Sequence, residues 1–132
     1  MQNNAGKTAL GLDLNVGALV CYLNICLPIG LVYSIIVLVQ DKDNKLPRFH
    51  AFQSLFFLAF LTVVGIALYI GFFVGIFVDA MIGLPVVSGL FGLAMLAFFL
   101  GMLIFLIISA VKAYGGQMYK IPVIGNFAEK FS

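Results

Sequence analysis

Three long apolar runs, separated by short polar or turn-forming segments, constrain this chain more than any other feature. They cover about residues 14–39, 50–78 and 87–111 of the 132-residue sequence. A membrane-spanning helix needs about 20 predominantly apolar residues to cross a hydrocarbon core of about 30 Å. Hydrophobic residues make up 64% of the chain and charged residues 9%, too few polar groups for a water-facing shell. The pattern predicts an all-α integral membrane protein with three transmembrane helices, folded as a single membrane domain over residues 1–132.

The first apolar run is interrupted near its middle by Pro28 and Gly30. Proline removes a backbone donor and clashes with the preceding helical turn, so we expect one kinked helix over residues 14–39. Two half-spanning helices are the alternative, as in transporters with broken helices. The single kinked span is favoured because the sequence contains no second interrupted apolar run, and transporters usually have broken helices in pairs.

The cations predict an orientation. With three spans, the first loop (about residues 40–47) and the interfacial tail (residues 113–132) share one side, and the polar lead (residues 1–12) lies on the other. Six of the seven cations belong to the first side, so by the positive-inside rule the first loop and the C-terminus are cytoplasmic and the N-terminus is outside. From Pro122 onward the apolar residues, among them Ile124, Phe127 and Phe131, and the polar residues Asn126, Glu129 and Lys130 are spaced as in a short amphipathic interfacial helix. The six cations are Lys42, Lys45, Arg48, Lys112, Lys120 and Lys130.

Small residues recur at four-residue intervals along the second apolar run, at Ala67, Gly71 and Gly75. Such spacing lets another helix approach closely, which is how helices associate where lipid is as apolar as leucine. The sequence leaves open whether the partner helix belongs to the same chain, to a second copy or to another membrane subunit.

The rare polar residues gather where the second run begins. His50, Gln53 and Ser54 follow helical i, i+3, i+4 spacing and share one face, with Arg48 just before them. A histidine here could carry a proton or ligate a metal, a pigment or a haem; alternatively, the group is a polar anchor that bonds to the tail or to lipid phosphate. There is one histidine in the chain and few acids, so a protein-only metal site lacks ligands.

We therefore expect the cluster to be structural, docked against the tail, in a protein that is not an enzyme and holds no cofactor. No nucleophile and base can be paired convincingly, and Cys21 and Cys26, five apart, match neither a CxxC motif nor a zinc half-site. A net charge of +2 gives no reason to expect nucleic acid as a partner. The expected partners are the bilayer and either other membrane subunits or further copies of the chain. The tail residues expected to face the cluster are Tyr114, Gly116, Tyr119, Pro122 and Gly125.

Two motifs in this order resemble a known family. The segment Arg48–Ser54 reads RFHAFQS, similar to an RFHAxQS signature, and residues 113–125 resemble an AYxG…YxxPxIG ending. Both are typical of a bacterial family of small multi-span membrane proteins of unknown function, grouped with the chloroplast inner-envelope protein-import component. Pro47, just before the first motif, departs from the two apolar residues expected there and affects the start of the helix.

The resemblance implies a multi-pass protein of the bacterial plasma membrane, possessing no assigned activity. Three functional hypotheses stand on the sequence. The first is a non-enzymatic interaction protein, a small accessory or assembly subunit of a larger membrane complex. The second is a component of a protein-translocation or channel-like assembly, which the import relatives suggest. The third is a pigment- or haem-associated subunit that uses His50.

Overall fold

The computed structural model describes residues 6–24 and 28–132, and this part of the chain is all-helical. Its contacts divide it into two compact units, one made of the residues up to Leu58 together with Phe105–Ser132, the other of Ala59–Ile104. Short 3-10 helices at Ala9–Gly11 and Tyr22–Asn24 accompany five α-helices: α1 (Leu14–Cys21), α2 (Pro28–Gln40), α3 (Lys45–Ile82), α4 (Val87–Tyr114) and α5 (Ile124–Phe131).

The predicted first span over residues 14–39 is wrong as a single kinked helix, because α1 and α2 are separate helices packed against each other. Pro28 is the first residue of α2, where its missing amide hydrogen leaves no helical hydrogen bond unmade. Gly30 then lets the chain fold back tightly, since a Cβ there would lie 2.2 Å from the backbone nitrogen of Asn24. Proline and glycine start a helix here instead of bending one. Cys26 lies outside the described residues.

This helical hairpin, residues 6–24 and 28–44, brings its last residues back beside its first described residues. Near the open end, the Thr8 hydroxyl donates to the Asp41 carboxylate and the Asn44 amide donates to the Lys7 carbonyl. Further along, the Tyr33 hydroxyl donates to the Ala9 carbonyl at 3.0 Å. The start of the described chain therefore lies beside the first loop, which corrects the expectation that a full span separates them.

The other two predicted spans correspond to two apolar helices that are longer than predicted. Within the described residues, α3 and α4 are the two helices long and apolar enough to cross a membrane, at 38 and 28 residues. They replace the predicted 50–78 and 87–111. Each has more than the roughly 20 residues that a helix needs to cross a hydrocarbon core of about 30 Å.

In the unit Ala59–Ile104, α3 and α4 pack through small residues and share a polar turn. A Cβ at Gly75 would lie 2.8 Å from the Ser88 backbone nitrogen, and one at Gly71 would overlap the Phe91 ring. The Asp79 carboxylate accepts from the backbone amides of Val87 and Ser88, both at 2.8 Å. These amides begin α4 and have no partner within their own helix, so an acid near the end of α3 caps the next helix.

Candidate interaction site at the start of the third helix

The first turns of α3 are buried in the unit formed by residues up to Leu58 and Phe105–Ser132. Leu46 packs with Leu14, Ala18 and Tyr22 of the hairpin and with Ala113 near the end of α4. His50, Gln53 and Ser54 are fully buried in the same region. Buried polar groups cost stability unless they are hydrogen-bonded, so the partners of these three side chains decide what the site can do.

His50 has a partner on each ring nitrogen. Its Nε2 lies 2.9 Å from the Gln117 carbonyl oxygen, and its Nδ1 lies 2.7 Å from the Tyr22 hydroxyl. A carbonyl only accepts, so Nε2 carries the hydrogen, and in the neutral ring Nδ1 accepts from the tyrosine. His50 thus joins the hairpin to the tail, and neither nitrogen is left for a metal or a haem iron.

Both the nitrogen and the oxygen of the Gln53 side-chain amide are also hydrogen-bonded. Its Nε2 donates to the Tyr22 hydroxyl at 2.8 Å and to the Tyr119 carbonyl at 2.9 Å. Its Oε1 accepts from the Ile121 backbone amide at 3.2 Å. A single side chain therefore satisfies both a donor and an acceptor of the extended tail backbone, with Tyr22 shared between Gln53 and His50.

Ser54 and Arg48 bind the hairpin, not the tail. The Ser54 hydroxyl lies 3.1 Å from the Ser34 hydroxyl, and its carbonyl accepts from the Asn24 amide at 3.1 Å. The Arg48 guanidinium donates to the Leu38 carbonyl at 3.0 Å and stands 5.7 Å from the centre of the Phe52 ring. The expected docking of the cluster on the tail is thus present for His50 and Gln53, whereas Arg48 and Ser54 face α2.

The tail residues named from the sequence reach the site unequally. Tyr114 and Pro122 are exposed, and Tyr119 contributes its backbone carbonyl. Gly116, the second residue after α4, has a φ of 73°, in the left-handed region that favours glycine. A Cβ at Gly125 would lie 2.6 Å from Lys120 Cα and 2.9 Å from Gln53 Oε1, so this glycine permits close packing of the tail.

The expected C-terminal amphipathic helix is α5. It buries Ile124, Gly125 and Ala128 and leaves its charged residues exposed. Two aromatic rings also tie it to α3, with Phe127 6.5 Å and Phe131 6.0 Å from Phe56 between ring centres.

Two important members of the site are missing from the sequence-based prediction, Tyr22 and Asn24. Tyr22 is buried and bonds both His50 and Gln53. Asn24 was visible as a polar interruption of an apolar run, which is a signal for a buried hydrogen bond. Tyr22 gave no comparable signal, because a tyrosine in such a run is equally expected at the lipid interface.

Of the helix-packing residues, Gly71 and Gly75 lie against α4, while Ala67 is exposed. The small-residue face is therefore used within the chain for two of its three members. Among residues 6–24 and 28–132, no group of three or more His, Cys, Asp or Glu side chains is placed to hold a metal ion.

Residues 7–128 match the model of the magnetosome magnetite crystal formation protein family. The chain belongs to that family. It is 35% identical over 127 residues to a UPF0132 membrane protein of Methanocaldococcus jannaschii, with 96% of each chain covered. A second such protein of that organism is 30% identical over 123 residues, covering 93% of this chain and 73% of the relative. No solved structure matches.

These findings support the predicted small membrane protein family and change its context. A third relative, from Archaeoglobus fulgidus, is 28% identical over 116 residues, covering 88% of this chain and 92% of the relative. The three relatives are archaeal, where bacterial ones were expected. The grouping with the chloroplast import component is not shown by any of these comparisons.

Proposed function

We propose that the protein is a non-enzymatic membrane interaction protein, a small accessory or assembly subunit of a larger membrane complex. The observation that carries this proposal is the bare apolar surface of the two long helices. In the most apolar stretch of each, 6% of the residues are buried by the rest of the chain. Leu93, Leu96 and Leu100 of α4 are all more than half exposed. This surface needs an apolar environment, supplied by lipid and by partner helices.

The chemistry of the site supports an architectural role over a catalytic one. His50 and Gln53 direct every polar atom of their side chains to groups of this chain. A catalytic base needs a face open to a substrate proton, and here both nitrogens of the imidazole already have partners. The network stabilises the junction between hairpin, α3 and tail.

The proposed topology has two transmembrane helices, α3 and α4, and a hairpin that enters the membrane and returns. With 13 residues, α2 is about 20 Å long, too short for a core of about 30 Å. The start of the chain, the first loop and the tail then share one side, and all seven cations lie in these segments or at their edges. The positive-inside rule makes that side cytoplasmic, in the plasma membrane of a prokaryotic cell.

The family's description concerns magnetite crystal formation. The accessory role proposed for this chain is compatible with that description and rests on the exposed apolar surface of α3 and α4. A translocation or channel-like assembly is the alternative, and it needs further subunits because two spans enclose no pore. The haem hypothesis is weaker, since both nitrogens of His50 are hydrogen-bonded.

Photocrosslinking in native membranes tests the interaction proposal. A crosslinking amino acid at Leu93, which is 66% exposed on α4, should give discrete protein adducts. The same amino acid at Phe57, which is 1% exposed, is the matched control and should give none. Recovery of the Leu93 variant as a monomer with lipid adducts alone would overturn the proposal.

A further inference from the structure

An apolar groove runs along the outer face of the helical hairpin. It has a volume of about 300 Å³ and is lined on α2 by Ile29, Val32 and Ile36. The Tyr33 ring also lines it, while the tyrosine hydroxyl points to the Ala9 carbonyl. Pro28 and Leu10 complete the lining, so the exposed surface of the groove is entirely apolar.

A polar cavity adjoins the groove at the open end of the hairpin. It has a volume of about 320 Å³, and Leu10 lines both spaces. Lys7 and Gln40 supply hydrogen-bond donors there, and the Asp41 carboxylate is already bonded by Thr8 and Asn44. Lys7 pairs with Asp13, but both side chains are more than 60% exposed, and such pairs contribute at most about 1 kcal/mol. The Lys7 ammonium can therefore turn to another anion at little cost.

The residue between the two spaces has a strained backbone. Leu10 has a φ of 62° and is 69% exposed. The left-handed region costs an ordinary residue about 1–2 kcal/mol, and an exposed leucine gains no core packing in return. Strain of this kind at a cavity wall favours a binding role for the segment.

The dimensions match one leaflet of a bilayer. From Ile29 to Gln40, α2 rises by about 17 Å, close to half of a hydrocarbon core of about 30 Å. An occupant must therefore be amphiphilic, with an apolar chain along α2 and a polar head at the level of the first loop. A membrane lipid has this form, and its phosphate complements Lys7 and the Gln40 amide.

We propose that the hairpin binds one phospholipid, with an acyl chain in the groove along α2 and its phosphate at Lys7 and Gln40. This site goes beyond the proposed interaction function and rests on the hairpin alone. It places a lipid on the face of α2 turned away from the hydrogen-bonded network.

Native mass spectrometry of the whole protein, purified in dodecyl maltoside and titrated with phosphatidylglycerol or phosphatidylethanolamine, tests this site. We expect one retained phospholipid per chain. Val32→Trp fills the groove and should weaken retention at least tenfold. Ile35→Trp, at an exposed position of α2 that lines neither space, is the matched control and should retain the lipid, as should Val32→Ala, which leaves the groove open.

The contribution of the phosphate is tested with dioleoylglycerol, which has acyl chains but no phosphate. It should bind at least tenfold more weakly than either phospholipid, and Lys7→Gln should remove most of that difference. Equal retention by the two tryptophan variants, no discrete lipid on the wild type, or equal binding of dioleoylglycerol would overturn the proposal. Photocrosslinking at Leu93 tests the unit Ala59–Ile104, whereas lipid retention tests the hairpin. Either proposal can therefore fail while the other holds.

Discussion

Gln53→Ala gives the sharpest test of the network at the start of α3. The substitution removes three hydrogen bonds, to the Tyr22 hydroxyl, the Tyr119 carbonyl and the Ile121 amide. Hydrogen bonds within membrane proteins contribute about 0.6 kcal/mol on average and up to about 1.7 kcal/mol. Because the partners here are buried and would be left unsatisfied, we expect a loss of about 2–4 kcal/mol. That loss raises the open population of the tail about 30- to 1,000-fold.

Trypsin cleavage of the tail in detergent measures this population. Lys120 and Lys130 are the reporter sites, because opening of residues 117–121 frees the segment from α3. When opening and closing are fast relative to cleavage, the cleavage rate follows the open population. Gln53→Ala should therefore be cut much faster at Lys120 than the wild type, with a lower midpoint of thermal unfolding.

Gln117→Ala is the matched control. The Gln117 side chain is exposed, and His50 bonds its backbone carbonyl, which the substitution keeps. We expect wild-type cleavage for this variant. Equal cleavage rates for Gln53→Ala and Gln117→Ala would refute the reasoning, since the tail would then be held by something other than the Gln53 amide.

Three further predictions concern topology and helix packing. Reporter domains fused to either terminus should both report the cytoplasm, while Gly83→Cys should react with an impermeant thiol reagent from the outside; a reporter at the N-terminus that reads the outside would contradict the returning hairpin. Asp79→Ala removes the acceptors that cap α4 and should lower the unfolding free energy by about 0.5–2 kcal/mol, whereas Asp43→Ala, at an exposed loop acid, should leave it unchanged by the same denaturation measurement. Gly75→Ala forces a Cβ within 2.8 Å of the Ser88 backbone and should destabilise by about 1–3 kcal/mol. Gly101→Ala meets nothing within 4 Å, so it should be neutral or slightly stabilising by helix propensity, and equal effects of the two alanines would argue against close packing at Gly75.

The second and third apolar runs show how much a membrane sequence can predict. Their length and composition are enough to identify α3 and α4, because no soluble fold could cover residues 59–104, where Asp79 is the one charged residue. The amphipathic pattern after Pro122 likewise predicted α5. The start of α4 at Val87 agrees with the prediction, whereas α3 begins earlier at Lys45 and ends later at Ile82, and α4 ends later at Tyr114.

The structure of the first apolar run could not be predicted from the sequence pattern. A run of this length with a central Pro28 is compatible with one bent helix, which the sequence favoured, and also with two short antiparallel helices. The choice depends on whether Gly30 can approach Asn24 and whether Tyr33 finds an acceptor at Ala9. Neither contact can be predicted from the local spacing of apolar residues.

The sequence by itself determined that the chain requires an apolar environment, that it is helical and that polar side chains gather on one face of α3. A chain this apolar must satisfy its backbone internally, and helices do so whatever the tertiary arrangement. Only the tertiary structure decided what those side chains do. It brought Tyr22 from the hairpin and the carbonyls of Gln117 and Tyr119 from the tail to His50 and Gln53. The residues that could have formed a reactive site instead hold three segments together, because each buried polar atom needs a partner and the fold supplies it.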